Sequence, residues 1–581
     1  MNPDQLIKHF DRISEAPGAI SKLRRFILDL AIRGKLVKQD ANEEPASVLL
    51  ARIRKEKTQI LSNGGTLKKD KTTPGLPNGD RPFSIPESWQ WSQLATVGIL
   101  NPRNMADDDR EASFVPMPMI PAQYGVASTH EIRHWGEIKS GYTHFAEGDV
   151  ALAKITPCFQ NGKSTVFRGL KGSIGSGTTE LHVVRPILIN PDYILVFLKS
   201  PSFIESGTSK MTGTAGQKRV PTEYFATSPF PVPPLSEQQR IVAKIDELMA
   251  LCDQLAKAKE QRDNRRKALV AASLHYLNNG TNADAFPKHA SFYINHLPTL
   301  TARIECVQSL RQTILNLAVL GKLVPQVAGE EPASELMSQI RTKRATLVKA
   351  GVITQKRQTA PAVKEPVNTL HTWEIVSFGD LCNLITSGSR GWAEFYAKDG
   401  PKFIRAQNIR FGRLLLNDLA CVTPPSKAEG LRTQVSKGDI LIVITGAGVT
   451  NPAILENEIG EAYVSQHVAL VKLTDIEVSR WLLLCLMAPS GGRSQLVESA
   501  YGAGKPGLNL DNIRSLTVPV PPLAEQRRIL AKVAELMALC DRLEAQLSVT
   551  QTENAHMLEA ILLTTLQNMS SARTPALAVT T

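Results

Sequence analysis

The sequence predicts a mixed α/β chain in which two α/β blocks are separated by long paired coiled-coil helices, a tandem duplication with pseudo-twofold character. Three observations carry this expectation. VPPLSEQQRIVAKIDELMALCDQL (Val232–Leu255) returns as VPPLAEQRRILAKVAELMALCDRL (Val520–Leu543), identical at 18 of 24 positions. LRRFILDLAIRGKLVKQDANEEPASVLLARIRKEK (Leu23–Lys57) returns from Leu310 to Arg344, identical at 20 of 35. The offsets, 288 and 287, agree within one residue, so the chain is one unit of about 290 residues written twice. Between the matched ends, 82–231 and 366–519 alternate short apolar runs with Gly, Pro and polar turns, yet match each other poorly.

The elements follow in chain order. Residues 1–61 form a helical arm: Leu23, Ile27, Leu30 and Ala31 make an apolar stripe, Gly34 supplies a C-terminal stop, and Pro45 opens a second helix with Glu43 and Glu44 at its positive end. Gly321 and Pro332 repeat this in a second arm, 291–350. Ser62–Pro82 and Gly351–Pro366, rich in Gly, Pro, Thr and Lys, read as linkers, and Asn278–Ala290 joins the copies. The central blocks share a few anchors: Trp89 with Trp373, Phe145–Leu152 with Val435–Ile442, His182-Val183 with His467-Val468, and Gly213–Val220 with Tyr501–Leu508.

Long helices are expected over 232–277 and 520–567. Pro233-Pro234 and Pro521-Pro522 cannot continue a helix backwards, and Ser236 is placed to cap the first. Ile529, Val533, Leu536, Cys540, Leu543, Leu547, Thr550, Asn554, Met557 and Ile561 are spaced 4-3-4-3, a heptad seam with one polar position, Asn554, suited to fixing register. Ile241, Ile245, Leu248, Cys252 and Leu255 begin the same seam in the first copy. It meets RDNRRK (Arg262–Lys267) and resumes near Leu269. Each helix would run about 40 residues, roughly 60 Å. Antiparallel pairing is favoured over parallel, because it makes a pseudo-twofold molecule suited to a pseudo-twofold target. The tail 568–581 is expected to be disordered.

Composition narrows the class. Lys and Arg number 67 against 55 Asp and Glu, a net charge of +12 that favours a polyanionic partner. Seven cysteines without a CxxC pair suit a reduced cytoplasm and argue against zinc or disulfides. Cys252 and Cys540 read as core. No apolar run approaches membrane-spanning length, the richest being Trp481–Met487, and the charged N-terminus is unlike a signal peptide.

No active site is legible. The Pro-Pro pairs, Val-Pro-Pro-Leu twice and Thr423-Pro424-Pro425-Ser426, do not make the Asn/Asp/Ser-Pro-Pro-aromatic loop that holds an exocyclic base amine. Tyr501–Gly507 resembles a phosphate loop only faintly, since Pro506 stands where Ser or Thr must bind magnesium. Gly172–Gly177 has the wrong glycine order for a dinucleotide fingerprint. The eleven histidines form no metal-binding cluster, and His182 and His467 read as satisfied core histidines. No catalytic residue and no metal ligand is therefore assigned.

Loop positions in both blocks are rich in groups that contact DNA: Lys154, Gln160, Asn161, Lys163, Arg168, Lys210, Gln217, Lys218 and Arg219 in the first, and Ser387, Ser389, Arg390, Arg405, Gln407, Asn408, Arg410, Arg413, Lys505 and Asn509 in the second. Arg suits guanine edges, Asn and Gln suit adenine edges, and Lys mostly serves phosphates. Two other classes compete with a DNA reader: a coiled-coil adaptor, and a methyltransferase or nuclease whose site is not recognisable.

With these residues in view, the chain resembles the specificity subunit of type I restriction-modification systems. The resemblance rests on the duplicated PPLxEQxRI helix starts (Pro233–Ile241 and Pro521–Ile529), the LAxxGKLV segments (Leu30–Val37 and Leu317–Val324) and the GDV and GDI strands, and covers nearly the whole chain. It implies that 82–231 and 366–519 are target-recognition domains, each reading half of a bipartite DNA site, with the long helices setting the gap. It implies that the repeated ends, with Pro233, Leu235, Glu237, Gln238, Pro521, Leu523, Glu525 and Gln526, dock two modification subunits. Those partners would carry S-adenosylmethionine, and restriction subunits using ATP and magnesium would join them. The chain itself would be non-catalytic and cytoplasmic, with no membrane partner. PMPMI (Pro116–Ile120) stands where the second block has RAQNI (Arg405–Ile409), which implies different reading loops.

Overall fold

The computed structural model describes residues 10–63, 81–214, 216–279, 285–353, 371–388, 391–424, 432–500 and 507–571. It divides into two compact units, 1–262 with 550–581, and 263–549. Most of the linkers predicted at 62–82 and 351–366, and most of the tail, lies outside the described residues, whereas of the joint 278–290 only 280–284 do. Four helices overrun their expected bounds: the first arm ends at Asn63, the first long helix at Asn279, the helix that opens the second arm begins at Phe286, and the second long helix continues to Ser571. No described helix is long and apolar enough to cross a membrane.

In the first unit the arm consists of helices Phe10–Glu15, Ala19–Ile32 and Ala46–Asn63. Ile27, Leu28, Ala31 and Ile32 face the core, so Leu28 takes the place expected of Leu30. The helix ends at Gly34 as its sequence requires. Gly34 has φ +65°, the Lys35 amide donates back to the Leu30 carbonyl at 3.0 Å, and a Cβ there would strike Pro86 and Trp89. The second unit repeats the closure: Gly321 has φ +67° and the Lys322 amide donates to the Leu317 carbonyl at 2.9 Å.

The first central block is built from β1 (Gln90–Gln93), β2 (Gly98–Leu100), β3 (Glu111–Val115), β4 (Glu131–His134), β5 (Thr143–Ala146), β6 (Val150–Ala153), β7 (Ser164–Val166), β8 (Ile174–Gly177), β9 (Leu181–Pro186) and β10 (Pro229–Val232). They form sheets ordered 1-10, 2-9-6-7 and 4-3-8-5, with only the 3–8 pair parallel. The second block has β11 (Glu374–Ser377), β12 (Cys382–Ser387), β13 (Tyr396–Ile404), β14 (Ile409–Arg410), β15 (Arg413–Leu414), β16 (Ala420–Val422), β17 (Ile440–Val443), β18 (Pro452–Ile454), β19 (Ala462–Val464), β20 (Val468–Leu473) and β21 (Thr517–Val520). Its sheets are ordered 11-21, 12-20-17-18 and 16-13-19, with the 13–19 pair parallel, plus the hairpin 14-15. Sheets 1-10 and 11-21, 2-9-6-7 and 12-20-17-18, and 4-3-8 and 16-13-19 correspond in order and direction. Among the described residues β5 has only the isolated bridge Gln434–Tyr463 as its counterpart, and the hairpin 14-15 belongs to the second block, so the poorly matching middles share one core topology.

Register corrects one anchor. Leu152 faces His182 across the ladder, and its counterpart Ile442 faces Ala469, so Ala469 and not His467 occupies the place of His182. His182 is the core histidine expected: it is buried, its Nε2 lies 3.0 Å from the Val220 carbonyl, and it stacks on Phe225. His467 is exposed, with Nδ1 2.5 Å from the Thr445 hydroxyl.

The long helices span Leu235–Asn279 and Leu523–Ser571, 45 and 49 residues, about 68 and 74 Å at 1.5 Å per residue. Leu235 is the first helical residue, so Ser236 lies inside the first turn and does not cap it. The heptad seam holds from Ile529 to Leu547, but Thr550 is exposed and Leu558 is buried where Met557 is expected, and the seam's first partner is the arm of its own copy. In the second unit Ile529, Val533 and Cys540 are buried in one cluster with Val307, Ile314 and Met337, flanked by Leu536, Leu543 and Leu547. In the first unit Ile241, Ile245 and Cys252 pack with Ile27 and Leu28. Leu255 and Leu269 are exposed and Val270 is buried. From Asp253 to Arg262 polar contacts replace the seam: Arg24 pairs with Asp253, Lys259 donates to the Ser14 carbonyl at 2.6 Å, and Arg262 pairs with Glu15. Asn554 is buried, but its polar partner within the first unit is Arg12 Nε at 3.2 Å.

Candidate nucleic-acid interface

The second block presents the better-formed candidate. β13 ends at Ile404, and a short turn, Ala406–Asn408, reverses the chain. Asn408 holds that turn: its Oδ1 accepts from the Arg405 amide at 3.0 Å, and its Nδ2 donates to the Asp418 carbonyl at 2.9 Å. Asn408 is buried, so it shapes the loop and does not offer its amide to a base. The hairpin β14–β15 follows, with Arg410 directly opposite Arg413 and Phe411-Gly412 as the two-residue turn. Gly412 has φ +73°, and a Cβ there would come 2.5 Å from Met487 Cε. Glycine is therefore favoured by the positive φ, while the contact with the flexible end of Met487 is one that a shift of that side chain relieves.

Gln407, Arg410 and Arg413 are exposed on this hairpin. Arg410 Nη1 donates to the Gln407 carbonyl at 2.8 Å, which ties the first arginine to the turn. The guanidinium of Arg493 lies 5.0 Å from the Phe411 ring centroid and donates to the Thr450 carbonyl. Sequence reasoning missed Arg493, because its role depends on a partner 82 positions away. Like charges opposed across a ladder are destabilising. A hairpin that keeps Arg410 beside Arg413 is suited to an external anion or an electron-rich base edge. Arg405 is half-buried, and its Nε is buried without a hydrogen-bond partner. Ser387 ends β12, and Asn509 caps the helix Leu510–Arg514 by accepting from the Asp511 amide at 3.0 Å. Ser389, Arg390 and Lys505 lie outside the described residues.

In the first block the candidates fall into four places. Lys154, Gln217, Lys218 and Arg219 come together: the Thr156 amide donates to the Lys218 carbonyl at 2.9 Å, and Ile155 bridges Arg219. The equivalent bridge, Thr445 to Gly507, places Gly507 where the first block has Arg219, while 501–506 lie outside the described residues. Gln217 and Lys218 are exposed, whereas Arg219 is clamped by Glu180 through contacts of 2.8 to 3.1 Å. Gln160 and Asn161 are exposed on the turn 157–163. Lys163, on the same turn, points inward and donates to the Met117 carbonyl at 3.0 Å. Arg168 pairs with Asp192 through both nitrogens, at 3.0 and 2.6 Å, and Lys210 lies 5.5 Å from the Tyr224 ring centroid. Lys163 and Asn408 are thus committed to the fold, and Arg168 and Arg219 are already neutralised.

The repeated helix starts are not an exposed docking face. Glu237, Gln238, Glu525 and Gln526 are at most 1% exposed. Pro233 and Pro521 are also buried, and Leu235 and Leu523 are half-buried. Trp89 Nε1 donates to Glu237 at 2.9 Å, and Trp373 Nε1 donates to Glu525 at 3.1 Å. Gln238 accepts from the Asn190 amide and donates to the Pro233 carbonyl, and Gln526 donates to the Pro521 carbonyl. The motif latches each block onto the start of its helix. Burial raises both carboxyl pKa values; the indole donors, with Gln39 at Glu237 and Arg528 at Glu525, act the other way. Since the folded-state values lie above the unfolded ones, these groups cost stability as pH rises past the unfolded carboxylate range near 4.3. The double variant E237Q/E525Q, which keeps an oxygen acceptor for each indole, is expected to gain on the parent as pH rises from 4 to 7. A stability difference flat across that range in urea titrations would remove this account.

The sequence profile of the Type I restriction modification DNA specificity domain matches residues 107–262 and 371–550. The chain is 37% identical to the type I restriction enzyme EcoAI specificity subunit of Escherichia coli over 551 residues, 93% of each chain. It is 36% identical to the EcoEI specificity subunit of the same organism over 562 residues, again 93% of each. Against the solved HsdS subunit from Thermoanaerobacter tengcongensis the identity is 19% and the TM-score 0.42, covering 83% of this chain and 97% of that one.

Proposed function

The chain belongs to the type I restriction-modification DNA specificity family, and from that premise we propose that each central block reads one half of a bipartite target. It is a DNA-recognition subunit of a restriction-modification complex and not itself an enzyme. Methyl transfer and cleavage, with S-adenosylmethionine, ATP and magnesium, belong to partner subunits. The observation that carries the division of labour is the pairing of one topology, used twice with the same tryptophan–glutamate latch, with two unlike surfaces. The common parts do a common job, and among the described residues the arginine hairpin is found in the second block and not in the first.

In this reading two modification subunits dock on the two copies of the repeated ends. The latch residues act from inside by fixing each block to its helix, so the surface the partner touches lies on neighbouring exposed positions. The long helices set the gap between half-sites, and the complex works in the cytoplasm. Methylation of an adenine requires its extrusion from the stack, so this chain holds the duplex while a partner holds the base.

Long-read methylation sequencing of host DNA, with and without this gene, tests the reading. One bipartite adenine-methylated motif should vanish on deletion and return on complementation. An unchanged methylome in cells expressing the modification partner would sink it and favour the adaptor alternative.

A further inference from the structure

The structure places a buried lysine under one recognition surface and a methionine at the equivalent place under the other. The helices Pro191–Lys199 and Ser479–Met487 have the same length, and the next two residues are Ser200-Pro201 and Ala488-Pro489, so Lys199 corresponds to Met487. Lys199 is 6% exposed. Its Nζ donates to the carbonyls of Ala122 and Gly162, each at 2.9 Å, and of Pro121 at 3.3 Å. These three carbonyls belong to two loops. One is the segment after Met117–Met119, where the second block has its arginine hairpin. The other is the turn 157–163, which displays Gln160 and Asn161. Met487 instead lies against Gly412, beneath the turn of that hairpin.

Resting on the DNA-recognition reading, we propose that Lys199 is a positioning residue for the first half-site. Its ammonium binds the 121–124 loop to the 157–163 turn, and so presents Gln123, Gln160 and Asn161 in one fixed arrangement. The second block achieves the same with apolar packing. Burying an ammonium is costly unless every N–H is used, and here three carbonyls meet three N–H donors. The loops border a cavity of about 800 Å3 that Lys199 itself lines, with Arg24, Arg25 and Glu205 as the other charged lining residues. Arg25 pairs with Glu205 at 2.6 Å and Arg24 with Asp253, and the Tyr124 hydroxyl donates to Asp246 at 3.0 Å. No carboxylate is within ion-pair distance of Lys199 among the described residues, so the carbonyl cage is its counterpart.

Burial pulls the ammonium down to about 7. Below that value three N–H groups hold three carbonyls. Above it the neutral amine has two, and one loop carbonyl loses its donor. The test uses the assembled complex, with competitor duplexes carrying a substitution in one half-site or the other of the motif found by methylation sequencing. K199M should lower discrimination at the first half-site about tenfold and leave the second unchanged. In the parent complex, discrimination at the first half-site alone should weaken several-fold between pH 6 and pH 8.5. This second measurement needs no variant and stands if K199M does not fold. Unchanged first-half discrimination in folded K199M, or a pH profile shared by both halves, would overturn the proposal while leaving the specificity reading intact. A parent complex indifferent to substitution in either half would overturn the specificity reading instead.

Discussion

Replacing Arg410 and Arg413 together with alanine is expected to abolish discrimination at one half-site and leave the other intact. The two residues are paired across the ladder of a hairpin with a two-residue turn, and no acidic residue pairs with either among the described residues. A bidentate contact from arginine to a guanine edge is worth about 1–3 kcal/mol of discrimination, so each lost contact relaxes preference about 5- to 150-fold at one position. An arginine that serves a phosphate behaves differently. Its loss weakens binding to all sequences alike and lowers the slope of log K against log salt by about 1. Measuring single and double variants on duplexes mutated in each half, across salt, assigns each arginine to one role. Uniform weakening at both halves would show that the hairpin grips the backbone and that the base-reading assignment is wrong. Arg405→Ala belongs in the same series. Its buried Nε shows that the side chain lies partly inside the loop, so part of its effect should appear as lost loop order and not as lost base contact.

The contrast between blocks explains what could be read in advance. The duplication, the helix starts and the glycine stops at Gly34 and Gly321 were legible because they rest on local rules: repeat offset, proline chemistry and positive φ. The hairpin was not legible: its arginines read only as loop positions, although Ile409 and Leu414 flank a Phe-Gly turn. Other features depend on contacts distant in sequence. The family resemblance places Glu237 and Glu525 on the repeated ends that dock partners, and carboxylates are rarely buried unpaired. Only the approach of Trp89 and Trp373, about 150 positions upstream, turns them inward. Lys163 and Asn408 carry the composition of DNA-binding residues, and their commitment to backbone carbonyls and amides appears only in three dimensions. The two-residue slip between His182 and His467 has a different origin. A His-Val dipeptide recurs by chance beside each strand, and only ladder register separates coincidence from equivalence.

Trp373→Ala is expected to produce the largest loss of stability of any single change considered, and to confine it to one unit. The indole is 8% exposed, packs edge-to-face on Trp481 at 5.6 Å, and donates to Glu525. Truncating a buried tryptophan costs about 3–5 kcal/mol through lost burial and the cavity left behind. Here the cost includes a second part: one oxygen of Glu525 already lacks a hydrogen-bond partner, and the variant would strip the donor from the other. A buried carboxylate with no donor is strongly disfavoured. Each unit has its own apolar cluster, so calorimetry should resolve two transitions, and the one belonging to 263–549 should fall by about 10 °C. Adding Glu525→Gln to the variant should recover part of the loss, because it removes the orphaned charge while leaving the cavity. A fall shared equally by both transitions would mean that the units melt as one. Absence of any rescue by the glutamine would mean that the tryptophan acts through volume alone, and that the indole–carboxylate bond is incidental to the latch.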